Sequence, residues 1–169
     1  IHRLNSFAAP VAAVANLVNR SVPARWVLEK LVGFDRNRPM PPVVRETFQK
    51  WFERRRPSST GSRGQVVLFH DTFMNFNYPS IGVSATCLLE AAGSEVVVLR
   101  DRKCCGRPMI SKGFLDRSGR NARNNVDLLY PYVERGVKIA GCESSCVMAI
   151  KDEWVDLLGG DHKAKAVAD

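Results

Sequence analysis

The sequence predicts an α/β protein, a parallel sheet flanked by helices and preceded by an all-helical basic arm, and three observations lead there. From residue 65 onward, short runs rich in Val and Ile alternate with longer stretches of helical period, the order that right-handed crossovers between parallel strands produce. Charge is lopsided: residues 1–64 hold 12 Lys and Arg against 4 acidic residues, and residues 65–169 hold 13 against 13. The net charge of +8 therefore lies wholly in the first third. Finally, four of the five cysteines fall in two tight groups, one close behind each of two Val/Ile runs.

In the arm, Val11, Val14 and Val18 mark one helical stripe. Ser21 with Pro23 opens a second helix that carries Trp26, Leu28, Leu31 and Val32 and stops at Gly33, since a side-chain cap and an early proline start helices and glycine ends them. After "RNRPMPP", Val44, Phe48, Trp51 and Phe52 fall on one helical face, which predicts a third helix. The stretch "RPSSTGSRG", residues 56–64, has the composition of a linker. It divides the chain into a basic arm, 1–64, and an α/β domain, 65–169. Helices this short are not stable alone. Their aromatic faces must be buried against the domain, another subunit or a lipid headgroup layer. The positive excess suits an acidic partner or an anionic membrane surface, and the plainer alternative is intramolecular packing with a solvated basic face. The aromatic residues follow a core stripe, so nucleic acid is not an expected partner.

In the domain, "QVVLF" ends at His70, "SEVVVLR" at Arg100 and "GVKIAG" at Gly141, and each reads as a buried strand. Helices are predicted over 80–92, ended by Gly93; over 111–134, with a stripe through Leu115, Ala122, Val126, Leu129 and Val133; and over 144–158, with Val147, Ile150, Trp154 and Leu158. Parallel sheets present ligand sites at the carboxyl ends of their strands. Three segments follow those ends: "HDTF" at 70–73, "KCCG" at 103–106 and "GCESSC" at 141–146. All three are expected on one edge.

Composition excludes several classes. At 169 residues one core is expected, and no apolar run reaches the ~18 residues that span a bilayer. Ile1 is not a start methionine, which suggests a piece of a longer chain; "SFAAPVAAVANLV" resembles a signal-peptide core, but Asn5, Ser6 and Pro10 interrupt it. The odd cysteine count argues against a disulfide framework and for a reducing, cytoplasmic compartment. The junction "HDTFMNFNYPS" contains no glycine, so neither a dinucleotide fingerprint nor a phosphate loop fits there. No nucleophilic serine motif is present, and Arg117, Arg120 and Arg123 read as a solvated helix face.

The cysteines carry the chemistry. Cys146 falls in the first turn of a predicted helix, where free N–H groups and the helix dipole favour a thiolate. Cys142 sits just before it, and Cys104 with Cys105 arrives from the neighbouring strand. Four sulfurs near one point make a soft site suited to an iron-sulfur cluster or zinc, while a thiol-redox pair without metal is a further alternative. Gly106 permits the tight turn that adjacent ligands impose, and Arg102, Lys103 and Arg107 offset the negative charge. His70 and Asp71 are candidates for ligands or proton-handling groups, or are structural. Cys87, in mid-helix beside Leu88 and Leu89, is expected to be a small buried hydrophobe. His2 and His162 lie near the chain ends and carry little information.

"HDTFMNFNYPSIGVSATCLLEAAGSEVVVL", "CCGRPMISKGFLD" and "ESSCVMAIKDEWVDLL" resemble the cysteine-rich CCG domain of iron-sulfur oxidoreductase subunits, over residues 65–160, and the helical stretch at 8–55 resembles the segment joining a ferredoxin module to the first of two CCG repeats. The resemblance implies an electron-transfer module of the 4Fe-4S type, which passes electrons from a flavin-containing dehydrogenase toward a quinone or other carrier. Its other partners would be a second CCG repeat and a ferredoxin module, with peripheral membrane contact as a further expectation. Cys104, Cys105 and Cys146 match the family's ligand positions. The family pattern ends in two cysteines with two residues between them, whereas Cys142 and Cys146 have three between them, so Cys142 is a substitute or a bystander. The family's lone cysteine well upstream of the CCG is replaced here by "DTF", residues 71–73. The expectation is a cluster that is absent or incomplete in this stretch of chain taken alone. A structural zinc-binding or subunit-interaction module is the alternative.

Overall fold

The computed structural model describes residues 7, 9–38, 40–58 and 61–169. Strand β1, Gln65–Leu68, lies at the centre of a three-stranded sheet and pairs in parallel with β2, Glu95–Val97, on one side and β3, Lys138–Ala140, on the other. Val67 stands opposite Val97 and Ile139. A central parallel strand is covered on both faces and so reads as a continuous apolar run. That is why Val66, Val67 and Leu68 are all buried.

Successive residues of β1 point to opposite faces, and each face has its own core. Val67 and Phe69 pack with Ala122, Val126, Leu129, Ile150 and Trp154. Val66 and Leu68 pack with Phe48, Met74 and Val96. The first core is roofed by helices after β2 and β3: α7, Leu115–Val133, which the short α6, Arg107–Ile110, precedes, then α8, Ser144–Met148, a π-helical turn at Ala149–Glu153, and α9, Trp154–Leu157. The second core lies under α3, Phe48–Arg54, α4, Thr72–Phe76, and α5, Pro79–Ala91. Helix α10, His162–Ala168, packs against α7.

The predicted parallel α/β sheet is therefore present, with differences in the elements. β2 ends at Val97 rather than Arg100, because an edge strand has one partner and the β1 ladder stops at Val67 on that side. The helix predicted over 111–134 begins at Leu115; Gly113, at φ +75°, ends the short α6 turn first. The stretch 144–158 is helical as predicted but carries the π-helical turn in its middle. Helices α4 and α10 were not predicted. Each is opened by an aspartate whose carboxylate accepts two backbone N–H groups, Asp71 from Phe73 and Met74 and Asp161 from Lys163 and Ala164, the N-cap chemistry that starts a helix where periodicity is too short to read.

In the arm, a 3-10 turn at Ala9–Val11 leads into α1, Ala12–Arg20, and then α2, Val22–Val32, which Gly33 ends at φ +78°. Two asparagines pin the returning chain to α1. Asn16 Nδ2 donates to Val43 O at 2.8 Å while Oδ1 accepts from Val43 N at 2.9 Å, and Asn19 makes the same pair of bonds with Met40. The third helix starts at Phe48 rather than Val44, whose N–H donates to Phe76 O at 2.9 Å. The aromatic residues then divide. Phe48 is fully buried against the sheet, with Trp51 and Phe52 packed beside it, whereas Trp26 and Leu31 remain 48% and 78% exposed. Among the described residues no helix is long and apolar enough to cross a membrane. His2, Asn5 and Ser6 lie outside the described residues.

Candidate metal centre

The loop after β2 is built around two consecutive cysteines and held by backbone bonds from elsewhere in the chain. Asn125, fully buried on α7, accepts from Lys103 N at 2.6 Å and donates to Lys103 O at 3.0 Å. Asn121 donates to Cys104 O at 3.1 Å, and Trp154 Nε1 donates to Cys105 O at 2.7 Å. Peptide groups on three consecutive residues are thus fixed by side chains of α7 and α9. Gly106 completes the turn at φ +95°, a conformation that L side chains rarely adopt, and any Cβ there would overlap Ser118 Oγ.

The second cysteine segment is set by β3 and α8. Glu143 caps α8 by accepting from Cys146 N at 2.8 Å and also from the Ser145 hydroxyl. Burial raises the Glu143 carboxyl, and the Ser145 hydroxyl and Cys146 N–H outweigh it, so the group lies below the ordinary carboxylate value. Cys146 arrives against the CCG loop with its Sγ 3.0 Å from Cys105 Sγ. Both residues are buried and Cys104 is half-buried beside them. Cys142 is exposed; burial of its thiol and the Asp71 carboxylate together push its pKa up.

As thiols Cys104 and Cys105 are held protonated. The hydrogen bond with Cys105 and then burial push Cys104 up. For Cys105 the bond from Cys104 lowers the pKa, but the bond with Cys146 and burial outweigh it, and the group is pushed up to about 11. A bound metal reverses this, because a coordinating thiol is deprotonated outright. Thiolates bound to one zinc ion at ~2.3 Å stand ~3.8 Å apart, so the two sulfurs of Cys105 and Cys146 are closer than two ligands of one zinc ion would be. Among the described residues no three His, Cys, Asp or Glu side chains are already gathered around the position of one metal ion.

The surroundings suit an anionic sulfur centre. Arg102 is 5% exposed, and its Nε and Nη2 are buried without a hydrogen-bond partner. Burial lowers its pKa, against the opposing pull of Cys104, Asp71, Cys146 and Cys105. A buried cation needs a compensating charge, and thiolates at these positions would supply it. The sulfurs within electrostatic reach of that cation, those of Cys104, Cys105 and Cys146, are donors of the soft type, and Cys142 is exposed.

The residues expected around the ligands divide in role. Asp71 spends one carboxylate oxygen on the α4 cap, and His70 is buried with its ring 5.8 Å from that of Phe48. Arg107 forms an ion pair with Glu153. Cys87, expected to be buried, is exposed on α5, because the helix turns Gly82, Thr86 and Glu90 inward instead. Sequence reasoning missed Asn121, Asn125 and Trp154 as holders of the loop. Paired asparagines inside a helical stripe were a usable signal, since asparagine is a poor helix former unless its side chain is employed.

The sequence pattern of the CCG cysteine-rich domain matches residues 67–151, a span that contains both cysteine segments, the end of β1 and all of β2 and β3. This chain belongs to the CCG cysteine-rich domain family. Among curated proteins, this CCG chain is 30% identical over 161 residues to a subunit of the anaerobic glycerol-3-phosphate dehydrogenase of Escherichia coli, for strain K12 and strain O157:H7 alike. That alignment takes in 95% of the chain and 41% of the relative. Lactate utilization protein A of an Exiguobacterium species is 29% identical over 87 residues, 52% of the chain and 35% of that protein. The CCG chain thus spans about two-fifths or less of the length of these relatives. No solved structure matches it.

Proposed function

We propose that this chain is the cysteine-rich module of an iron-sulfur electron-transfer subunit in a multi-subunit oxidoreductase. The observation that carries the reading is the meeting of Cys104, Cys105 and Cys146 at one sheet edge beside the buried guanidinium of Arg102, whose Nε and Nη2 have no hydrogen-bond partner. A 4Fe-4S type cluster would supply one-electron chemistry there. Cys104, Cys105 and Cys146 would hold it, Cys142 would serve as a fourth donor at the rim, and Arg102 would balance charge. Asn121, Asn125 and Trp154 keep the loop in place before any ligand arrives, and Gly106 lets the two adjacent sulfurs turn toward one side.

The relative named as a dehydrogenase subunit supports a place among other subunits. We take the partners to be a flavin-containing dehydrogenase subunit that delivers electrons, with a second CCG repeat and a ferredoxin module completing the path toward a quinone or other carrier. In this reading residues 1–64 are a docking arm and 65–169 the redox domain, at the cytoplasmic side of the membrane. The test is anaerobic reconstitution of the purified protein with iron and sulfide. Visible charge-transfer absorption lost in Cys105→Ser and Cys146→Ser supports the reading; equal iron and sulfide in those variants and the parent would overturn it.

A further inference from the structure

Beside the cysteine edge lies a polar cleft of about 210 Å³ that the cysteines do not line. One wall is the chain after β2, which brings Arg100, Arg102 and Lys103 together; the other is formed by Gln49 of α3 with His70 and Asn75. Asp101 is the acidic residue on the lining, and it is exposed. A wider surface depression of about 470 Å³ lies along α3, but there Arg45, Lys50 and Arg54 alternate with Glu46 and Glu53, so it has little net charge.

The cations of the polar cleft are unequally engaged. Arg100 is paired with Glu53 at 3.0 Å. Lys103 is exposed and enters none of the ion pairs among the described residues. Arg102 is nine-tenths buried, spends Nη1 on a 3.4 Å bond to Lys103 O, and keeps Nε and Nη2 buried without a partner. Asn75 has its Oδ1 bound by the Gln49 N–H, which leaves Nδ2 as its donor. Two cations and an amide around a small polar cleft match the donor pattern that planar and tetrahedral oxyanions require.

We propose that this cleft is a binding site for a small oxyanion, a carboxylate or a phosphate, held by Arg102 and Lys103. The site needs no metal, so it stands independently of the electron-transfer reading. Because the same guanidinium lies within electrostatic reach of Cys104, Cys105 and Cys146, an anion bound there lies next to the cysteine edge.

The experiment is a titration of the purified, air-free protein with inorganic phosphate and separately with acetate, at constant ionic strength, following backbone amide shifts of Gln49, Asn75 and Lys103. Saturable one-to-one binding that weakens at least tenfold in Lys103→Gln supports the site. Arg102→Gln should abolish binding where that variant folds, and Arg117→Gln, an exposed helix arginine, should bind as the parent does. Tighter binding of phosphate assigns the site to tetrahedral anions, and tighter binding of acetate to carboxylates. Shifts that never saturate, or an unchanged affinity in Lys103→Gln, overturn the proposal whatever the iron content of the sample.

Discussion

Cys105 illustrates how a single residue is governed by its neighbours. Its thiol is pushed up to about 11, so in the metal-free protein little of it is thiolate near neutrality, and thiolate is the reactive form. Its alkylation by iodoacetamide should be slow at pH 8 and rise about tenfold per pH unit until the pH approaches the group's own pKa; alkylation at pH 8 as fast as that of a free thiol peptide would contradict the burial and pairing described for it. Asn125 is the second residue on which the site depends. Asn125→Ala removes both bonds to Lys103 and leaves that residue's half-buried peptide groups without them, at a cost of about 1–3 kcal/mol. Chemical denaturation would measure that loss, and cluster loading should fall with it. The cysteines were legible because their type and grouping are unusual. The asparagines were not, because their partners are backbone atoms distant in sequence.

Among the elements, α3 decides how the arm meets the sheet. Phe48 occupies the space that a side chain at position 82 would need, since a Cβ on Gly82 would overlap its ring. Gly82→Ala should therefore destabilise by about 1–3 kcal/mol, as overpacked cores do, and Phe48→Ala by about 3–5 kcal/mol. Thermal unfolding would show both as lowered midpoints, and an unchanged midpoint in either would refute the packing. Just beyond α3, Arg55 pairs with buried Glu90 at 2.6 Å and lies over the Phe52 ring, while Ser58 donates to the same carboxylate. Burial raises Glu90, but Ser58 and Arg55 lower it by more, so its folded pKa lies below the ordinary carboxylate value. A depressed carboxyl stabilises the fold at pH above its unfolded value and loses that contribution as pH falls through the folded one. The parent should thus lose stability below about pH 4.5 more steeply than Glu90→Gln, which gives up the ion pair at every pH. Parallel slopes in acid titrations of the two would sink this. Helical periodicity revealed α3 as an element, but its entry into the core through Gly82 could not be read from either segment alone.

At the scale of the molecule, alternation of Val/Ile runs with helical stripes was enough to predict the parallel sheet and the edge on which the cysteines meet. What escaped was local: strand ends set by the length of a neighbour, and the short helices α4 and α10, which begin at aspartate caps rather than on long stripes. The arm remains the most exposed apolar surface, with Leu17, Val22 and Leu31 more than 60% exposed on helices that pack chiefly on each other. With Arg20, Arg25 and Lys30 alongside, it should bind anionic vesicles in low salt and release them as salt screens the charge. Flotation without binding at low salt would leave the arm as a protein-docking spacer.

The proposal that Cys104, Cys105 and Cys146 hold a redox cluster is tested most directly by iron and sulfide analysis with EPR on the full-length protein purified without air. The expected result is an iron-sulfur signal attributable to this module, present in the parent and lost in Cys105→Ser while signals from other modules persist. A parent whose spectrum is unchanged by Cys105→Ser, or whose CCG module holds a single zinc ion and no sulfide, would contradict it.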